Sequence, residues 1–200
     1  MVSELFILRH GQTEFNAQRR LQGHCNSPLT AQGEAQALAY GNTLKSLAGE
    51  LNIAELNDFA IVSSPLGRAM QTATIVAGAL GREPGAVSAD DRVKEAGLGE
   101  WEHGHIPDIH AANPGLANKP GWYLDAPGAE PLESIQTRLH DWLKDPATPS
   151  KVIVVSHGVT GVVLRALLLG LDNQAMWAQD KPQDAFYYFS QGTLKRIACR

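Results

Sequence analysis

Short apolar runs alternate with longer amphipathic stretches along this chain, and their order predicts the fold. Leu5-Phe6-Ile7-Leu8, Ala60-Ile61-Val62 and Val152-Ile153-Val154-Val155 are uniformly apolar and short, as strands buried on both faces are. The third is entirely β-branched and suits the middle of a sheet. Between them the periodicity changes to that of helices. One starts after Thr30, whose hydroxyl can cap it, and carries Ala35, Leu38, Leu44 and Leu47. A second spans Leu66 to Leu80 with an apolar face of Ala69, Ala73, Ile75, Val76 and Leu80, and a third spans Glu133 to Leu143 around Ile135, Leu139, Trp142 and Leu143. A fourth runs from about Val159 to Leu169 and stops at Gly170. The tail, Phe186 to Phe189 and Thr193 to Ile197, predicts a hairpin turning at Gln191-Gly192.

This alternation is that of a three-layer α/β/α sandwich on a mostly parallel sheet. Two hundred residues with a 44% hydrophobic share suit one domain, 1–200. The stretch from 97 to 128 interrupts the pattern with Gly, Pro, His and Asn, and reads as an irregular, substrate-facing excursion in which the pattern assigns no helix.

Two strands end alike. Arg9-His10-Gly11 follows the first apolar run and Ser156-His157-Gly158 follows the third. Ligands of open α/β sheets bind at the carboxyl ends of the strands, so His10 and His157 are expected to converge on one pocket. Arg9 beside His10 suggests phosphate chemistry, because a guanidinium fork matches phosphate oxygens and an imidazole can attack phosphorus.

The net charge of −4 argues against nucleic acid or an anionic membrane as partner, so an anionic ligand must meet a local basic pocket. No apolar stretch reaches the ~18 residues of a membrane span. The nearest is broken by His157 and Arg165, and Met1 to Glu4 does not read as a signal peptide. A soluble, cytoplasmic protein is expected. Cys25 and Cys199 lack the spacing of a zinc site or a disulfide framework and read as reduced thiols. The pattern assigns no oligomeric state.

The residues around the first histidine, Arg9-His10-Gly11-Gln12-Thr13-Glu14-Phe15-Asn16, resemble the signature of the histidine phosphatase superfamily, also called the phosphoglycerate mutase-like family. Further matches follow in that family's order: Leu21-Gln22-Gly23 with Ser27-Pro28-Leu29-Thr30, Ser64-Pro65-Leu66 with Arg68-Ala69 and Gln71-Thr72-Ala73, Glu95 ahead of Gly99, Trp101 and Glu102, and finally Ser156-His157-Gly158. The resemblance implies a phosphoglycerate mutase-like fold, no cofactor, and a small phosphate ester as ligand. It implies His10 as nucleophile, passing through a phosphohistidine, with Arg9, Arg68 and a protonated His157 completing the phosphate pocket. Glu95 is implied as general acid, although Glu100 and Glu102 lie close by and any of the three can be a surface carboxylate or a partner of Arg92. Asn16 and Gln22 would supply neutral donors beside Gly23, and the amides after Gly158 would aim a helix's positive end at the anion. For an arginine in a helix's first turn, such as Arg68, the ordinary alternative is a solvated side chain.

The chain departs from that family at His103, where Gly is usual, and at Ala129-Glu130-Pro131, where Gly-Glu-Ser is usual. Phosphoglycerate mutases carry a longer insertion and a Tyr-Gly-Gly-Leu-type stretch where this chain has Glu95-Ala96-Gly97-Leu98, so a metal-independent phosphatase is expected ahead of a mutase. Two other readings remain open: a silent phosphate-binding module, and a metallohydrolase using His103, His105, Asp108 and His110, whose spacing is one residue off the binuclear pattern. Trp101, His103, His105, Trp122 and Tyr123 are candidates for contacts with the released alcohol, or loop anchors.

Overall fold

The computed structural model describes residues 2–50 and 56–199. Six strands form one sheet, β1 (Glu4–Arg9), β2 (Ala60–Ser63), β3 (Val87–Ala89), β4 (Lys151–Ser156), β5 (Ala185–Ser190) and β6 (Thr193–Ala198), in the order β3-β2-β4-β1-β5-β6. The pairs β3/β2, β2/β4 and β4/β1 are parallel; β5 and β6 add an antiparallel hairpin to the β1 edge. Gln191 (φ 50°) and Gly192 (φ 74°) make its turn with both central residues left-handed, which matches the twist of the flanking strands.

Side chains alternate across the sheet into two cores. Phe6, Leu8, Ile61, Ile153, Val155 and Phe186 face α2 (Ala31–Glu50) and α3 (Gly67–Ala79). Leu5, Ile7, Val62, Val152 and Val154 face α5 (Leu132–Lys144) and α6 (Gly158–Leu169). On α3 and α5 residues read as apolar faces are buried, Ala69, Ala73 and Val76 on the one and Ile135, Leu139 and Trp142 on the other, but on α2 Ala35 and Leu38 are exposed and the buried face is Ala37, Tyr40 and Leu44. Thr30 caps α2 by accepting from the Gly33 amide at 3.1 Å, and Gly170, left-handed at φ 63°, ends α6.

The chain leaves β1 through a tight passage. A Cβ on Gly11 would lie 2.2 Å from the Gly33 carbonyl oxygen, so only glycine lets this loop seat against the start of α2. The one-turn α1 (Glu14–Ala17) follows, capped by Thr13, whose hydroxyl accepts from the Asn16 amide while the Asn16 side chain accepts from the Thr13 amide.

The excursion from 97 to 128 contains more order than its composition suggests. It holds a short helix, α4 (Ile106–Ala112), with Pro107 in the first turn where no amide is missed, and 3₁₀ turns at Gly99–Trp101 and Trp122–Asp125. Ile109 is the buried residue of α4, so the helix packs by one contact point rather than by a periodic face. A further short helix, α7 (Asn173–Trp177), seats Trp177 against Tyr123 with ring centroids 5.9 Å apart. No described helix is long and apolar enough to cross a membrane.

Candidate active site

The order β2-β4-β1 brings the ends of three parallel strands side by side. Their last residues continue as Ser64, His157 and His10, and the amides of His10 and Ser64 donate to the carbonyls of Ser156 and Val155, at 2.9 and 3.0 Å. The two histidine rings lie 5.1 Å apart, both buried. Two strand ends separated widely in sequence thus put their imidazoles on one site.

His10 is held on every side. Its carbonyl accepts from the Gln183 amide group at 3.0 Å, and its Nδ1 lies 2.8 Å from the Gly11 carbonyl. The Nε of Arg68 donates to Nε2 at 3.3 Å. Arginine has no acceptor and a carbonyl has no donor, so the ring is neutral, with its proton on Nδ1 and its lone pair on Nε2. Burial and the charges of Arg68 and Arg9 push its pKa well below the usual 6.5.

Arg68 is 1% exposed, so the solvated alternative fails. Its Nη1 and Nη2 donate to the carbonyls of Cys25 and Gly23, both at 2.8 Å, which clamps the 23–25 turn over the site. Gly23 is left-handed at φ 55°, and a Cβ there would strike the Glu102 carboxylate at 2.1 Å. Glu102 itself accepts from the amides of His24, Cys25 and Leu98, and Arg92 pairs with Asp90 and Asp145. Of the three neighbouring acids, Glu95 alone faces the histidines.

His157 departs from the expectation of a protonated imidazole. Its Nε2 bonds the Ser64 hydroxyl at 2.8 Å and its Nδ1 is buried without a partner. Burial, then the charges of Arg68, His10 and Arg9, hold its pKa well below 6.5. In the protein alone both imidazoles are neutral.

The start of α6 also departs from expectation. The amides of Val159 and Thr160 donate to Glu95, at 3.2 Å to Oε2 and 3.1 Å to Oε1, so the positive end of the helix holds this carboxylate rather than a ligand. Oε1 accepts further from the Ala96 amide and the Thr160 hydroxyl, at 3.0 and 3.2 Å. Oε2 is the less saturated oxygen. It lies 3.7 Å from where a Gly158 Cβ would stand, on the side of Arg9 and Lys181.

Arg9, His10, Arg68 and Glu95 line a cavity of about 320 Å³ that also takes in Asn16, Arg20, Gln22, His110, Trp122, Tyr123, Gly158 and Lys181, while His157 sits behind His10 and outside that lining. Arg9 donates through Nη1 to the Lys181 carbonyl at 2.6 Å, while its Nε is buried without a partner. Asn16 Oδ1 accepts from the Gln183 side chain at 3.3 Å, turning its amide nitrogen to donate. Gln22 Nε2 lies 2.8 Å from the Thr13 hydroxyl, and its Oε1 is buried without a partner. Lys181 and Gln183 were not anticipated from sequence. They sit in a connector with no motif, and their place depends on Tyr123, Asn16 and His10 closing around them.

The histidine-rich segment scatters. His105 pairs with the exposed Asp108 at 3.1 Å, His103 packs edge-on to Phe15, and His110 lies against Trp122 with ring centroids 4.4 Å apart. Among the described residues, no group of His, Cys, Asp or Glu gathers at metal-ligand spacing. His103 is left-handed at φ 64°, which gives the physical reason that glycine suits this position.

Fold and site together define a mostly parallel α/β sandwich with two neutral histidines and paired arginines at its strand ends. Residues 5–188 match the histidine phosphatase superfamily (branch 1), and the chain belongs to that family. A protein of Salmonella paratyphi C named "Probable phosphoglycerate mutase GpmB" is 31% identical over 188 residues, 88% of this chain and 78% of that protein. Among solved structures, a mycobacterial glucosyl-3-phosphoglycerate phosphatase in complex with VO3 superposes with a TM-score of 0.76 at 26% identity, covering 99% of this chain and 98% of that one. Bacillus stearothermophilus YhfR gives 0.74 at 28%, covering 98% and 96%.

Proposed function

We propose that this protein is a metal-independent phosphomonoesterase that works through a phosphohistidine on His10. One observation carries the reading: a buried, neutral imidazole keeps its lone pair on Nε2, where the Arg68 guanidinium donates until the nitrogen turns to phosphorus. In the first step Nε2 bonds phosphorus as the ester P–O bond breaks, and the leaving oxygen takes a proton from Glu95 Oε2. In the second, water gives a proton to Glu95 while its oxygen bonds phosphorus and the P–N bond breaks, releasing phosphate and neutral His10.

Charge spreading over the phosphoryl oxygens is met by Arg9 and Arg68, which supply the positive field that a metal supplies elsewhere. The unpartnered Arg9 Nε and the Asn16 amide nitrogen are donors aimed at that anion. Turning the Gln22 amide over adds another: the Thr13 hydroxyl, which already accepts from the Asn16 amide, donates to Oε1, and the NH₂ enters the cavity. An arriving dianion also gives His157 the counter-charge it lacks, so that it protonates as the ligand binds.

Rapid quenching with a radiolabelled ester tests the reading. An acid-labile phosphohistidine should form in the wild type and be missing in His10→Ala; steady turnover by His10→Ala would sink the mechanism. Vanadate should inhibit and chelators should not.

The name of the Salmonella relative favours a second reading, transfer of phosphate between positions of phosphoglycerate. Incubation with 3-phosphoglycerate separates the two, since hydrolysis yields inorganic phosphate and transfer yields 2-phosphoglycerate.

A further inference from the structure

Between the 3₁₀ turn that ends at Val93 and the one that starts at Gly99, the chain carries Glu95 with no strand or helix to hold it. Such a segment still has to place its main-chain polar groups. Here side chains from elsewhere take them. The carbonyl of Lys94 accepts from the Thr160 hydroxyl, that of Glu95 accepts from His24 Nε2 at 2.9 Å, and the Leu98 amide donates to Glu102 Oε1 at 3.0 Å. Thr160 belongs to α6, which also holds the Glu95 carboxylate, whereas His24 and Glu102 tie the segment to a different part of the chain.

That part is the turn at 23–25. Glu102 reaches it through both oxygens: Oε1 accepts from the His24 amide at 2.8 Å as well as from Leu98, and Oε2 accepts from the Cys25 amide at 3.2 Å. The left-handed Gly23 makes room, since a Cβ there would overlap Oε1. His24 supplies the second tie. The residue is exposed, yet its ring rests on Gly97, where a Cβ would stand 3.5 Å from Cε1. Its Nε2 carries a proton in this bond, because a carbonyl can only accept. The same turn is gripped through the carbonyls of Gly23 and Cys25 by Arg68, which donates to Nε2 of His10.

One turn is thus bonded through its carbonyls to the arginine beside the proposed nucleophile, and through its amides and its histidine to the segment of the proposed acid. Glu95 and His10 need not touch for their spacing to be fixed. Resting on the phosphomonoesterase reading, we infer that His24 and Glu102 are positioning residues for proton transfer, holding the Glu95 main chain at a set distance from the His10–Arg68 pair. Neither lines the cavity that takes the phosphate, so each acts through Glu95. Losing either one displaces the acid without removing it. Proton transfer to a leaving oxygen is sensitive to this, because it needs hydrogen-bond reach and a 1 Å misplacement costs about 10²-fold.

The test uses the leaving group to separate placement of the acid from a general loss of structure. Phenyl phosphate and p-nitrophenyl phosphate are close in shape, but phenolate is the more basic and gains more from a proton as it departs. His24→Ala should lower kcat/KM, which reports the step in which the leaving group departs, by roughly tenfold for phenyl phosphate and by about twofold or less for p-nitrophenyl phosphate. His24→Gln keeps an N–H near the place of Nε2 and should recover most of the activity. Glu102→Gln sets an NH₂ against at least one of the amides that the carboxylate accepts from, and should show the same selective loss. In a Glu95→Gln background neither substitution should change the ratio of the two esters further. Should Glu102→Gln fail to fold, the exposed His24 decides alone. An equal fall for both esters in His24→Ala, no fall for either, or a further change of ratio in the Glu95→Gln background overturns the positioning role, and with His10-dependent hydrolysis intact it leaves the phosphatase reading standing. Absence of His10-dependent hydrolysis of both esters in the wild type overturns both.

Discussion

The Nε of Arg68 lies 3.3 Å from Nε2 of His10, and the same guanidinium grips the carbonyls of Cys25 and Gly23. One side chain therefore fixes the tautomer of the proposed nucleophile and the turn that roofs it. Arg68→Met removes a charge from the phosphoryl oxygens and takes these donors from the buried Gly23 carbonyl and the half-buried Cys25 carbonyl. Turnover should fall by about 10²–10³, the loss typical of removing one preorganised oxyanion donor. Steady-state kinetics with circular dichroism as a control for folding measures it, and a fall below threefold would remove Arg68 from the mechanism.

Glu95 makes a sharper prediction through the leaving group. An alkyl alkoxide needs a proton as it departs, whereas p-nitrophenolate leaves without one. Glu95→Gln should slow hydrolysis of an alkyl phosphate by about 10²-fold or more and that of p-nitrophenyl phosphate far less, with vanadate inhibition retained. The same loss on both substrates would show that the carboxylate only holds the start of α6, where the amides of Val159 and Thr160 already meet it.

How much of this was legible in the chain varies with the range of the forces involved. β1 and β4 were readable because their patterns are local and their interiors are buried, the hairpin because its turn and strand patterns are local even though β6 buries no residue, and the Xaa-His-Gly ends of β1 and β4 already pointed to one pocket. The short elements β3, α1, α4 and α7 were not: β3 is three residues long and mostly exposed, and α4 buries Ile109 alone, so neither leaves a period to read. At the site, His10 and Arg68 stand in motifs, but the charge state of His157 follows from neighbours that meet only in three dimensions. Lys181 is likewise an ordinary loop lysine until Tyr123 and Trp177 close over it.

The two buried imidazoles make stability depend on acidity. Both have folded pKa values held well below 6.5, so below that pH the unfolded chain binds protons that the native protein refuses. Stability is therefore full above about pH 6.5 and falls as the pH drops, by up to about 1.4 kcal/mol per pH unit for each histidine until its folded pKa is reached. Urea midpoints between pH 7.5 and 5 should show this decline, and His157→Asn should flatten it. Inorganic phosphate should steepen the binding side of the same linkage: if His157 protonates with the anion, phosphate binding takes up a proton near neutral pH, measurable as buffer-dependent heat in calorimetry. Buffer-independent heat would leave His157 a neutral ligand to the phosphate.

His103 offers a test of backbone strain that is separate from the chemistry. At φ 64° it holds a conformation in which a Cβ is penalised, and its ring rests edge-on against Phe15 with centroids 5.4 Å apart. His103→Ala and His103→Gly lose that aromatic contact equally, so the contact cancels when the two variants are compared. The alanine variant keeps the Cβ penalty of ~1–2 kcal/mol and glycine escapes it, while glycine gives back part through the greater freedom of its unfolded chain. The glycine variant should be more stable than the alanine variant by about 1 kcal/mol, read as a difference in urea midpoints at unchanged slope. Alanine equal to or above glycine would mean that the loop relaxes out of the left-handed region once the histidine is gone, and that the Arg20 and Leu21 contacts with this segment do not hold it there.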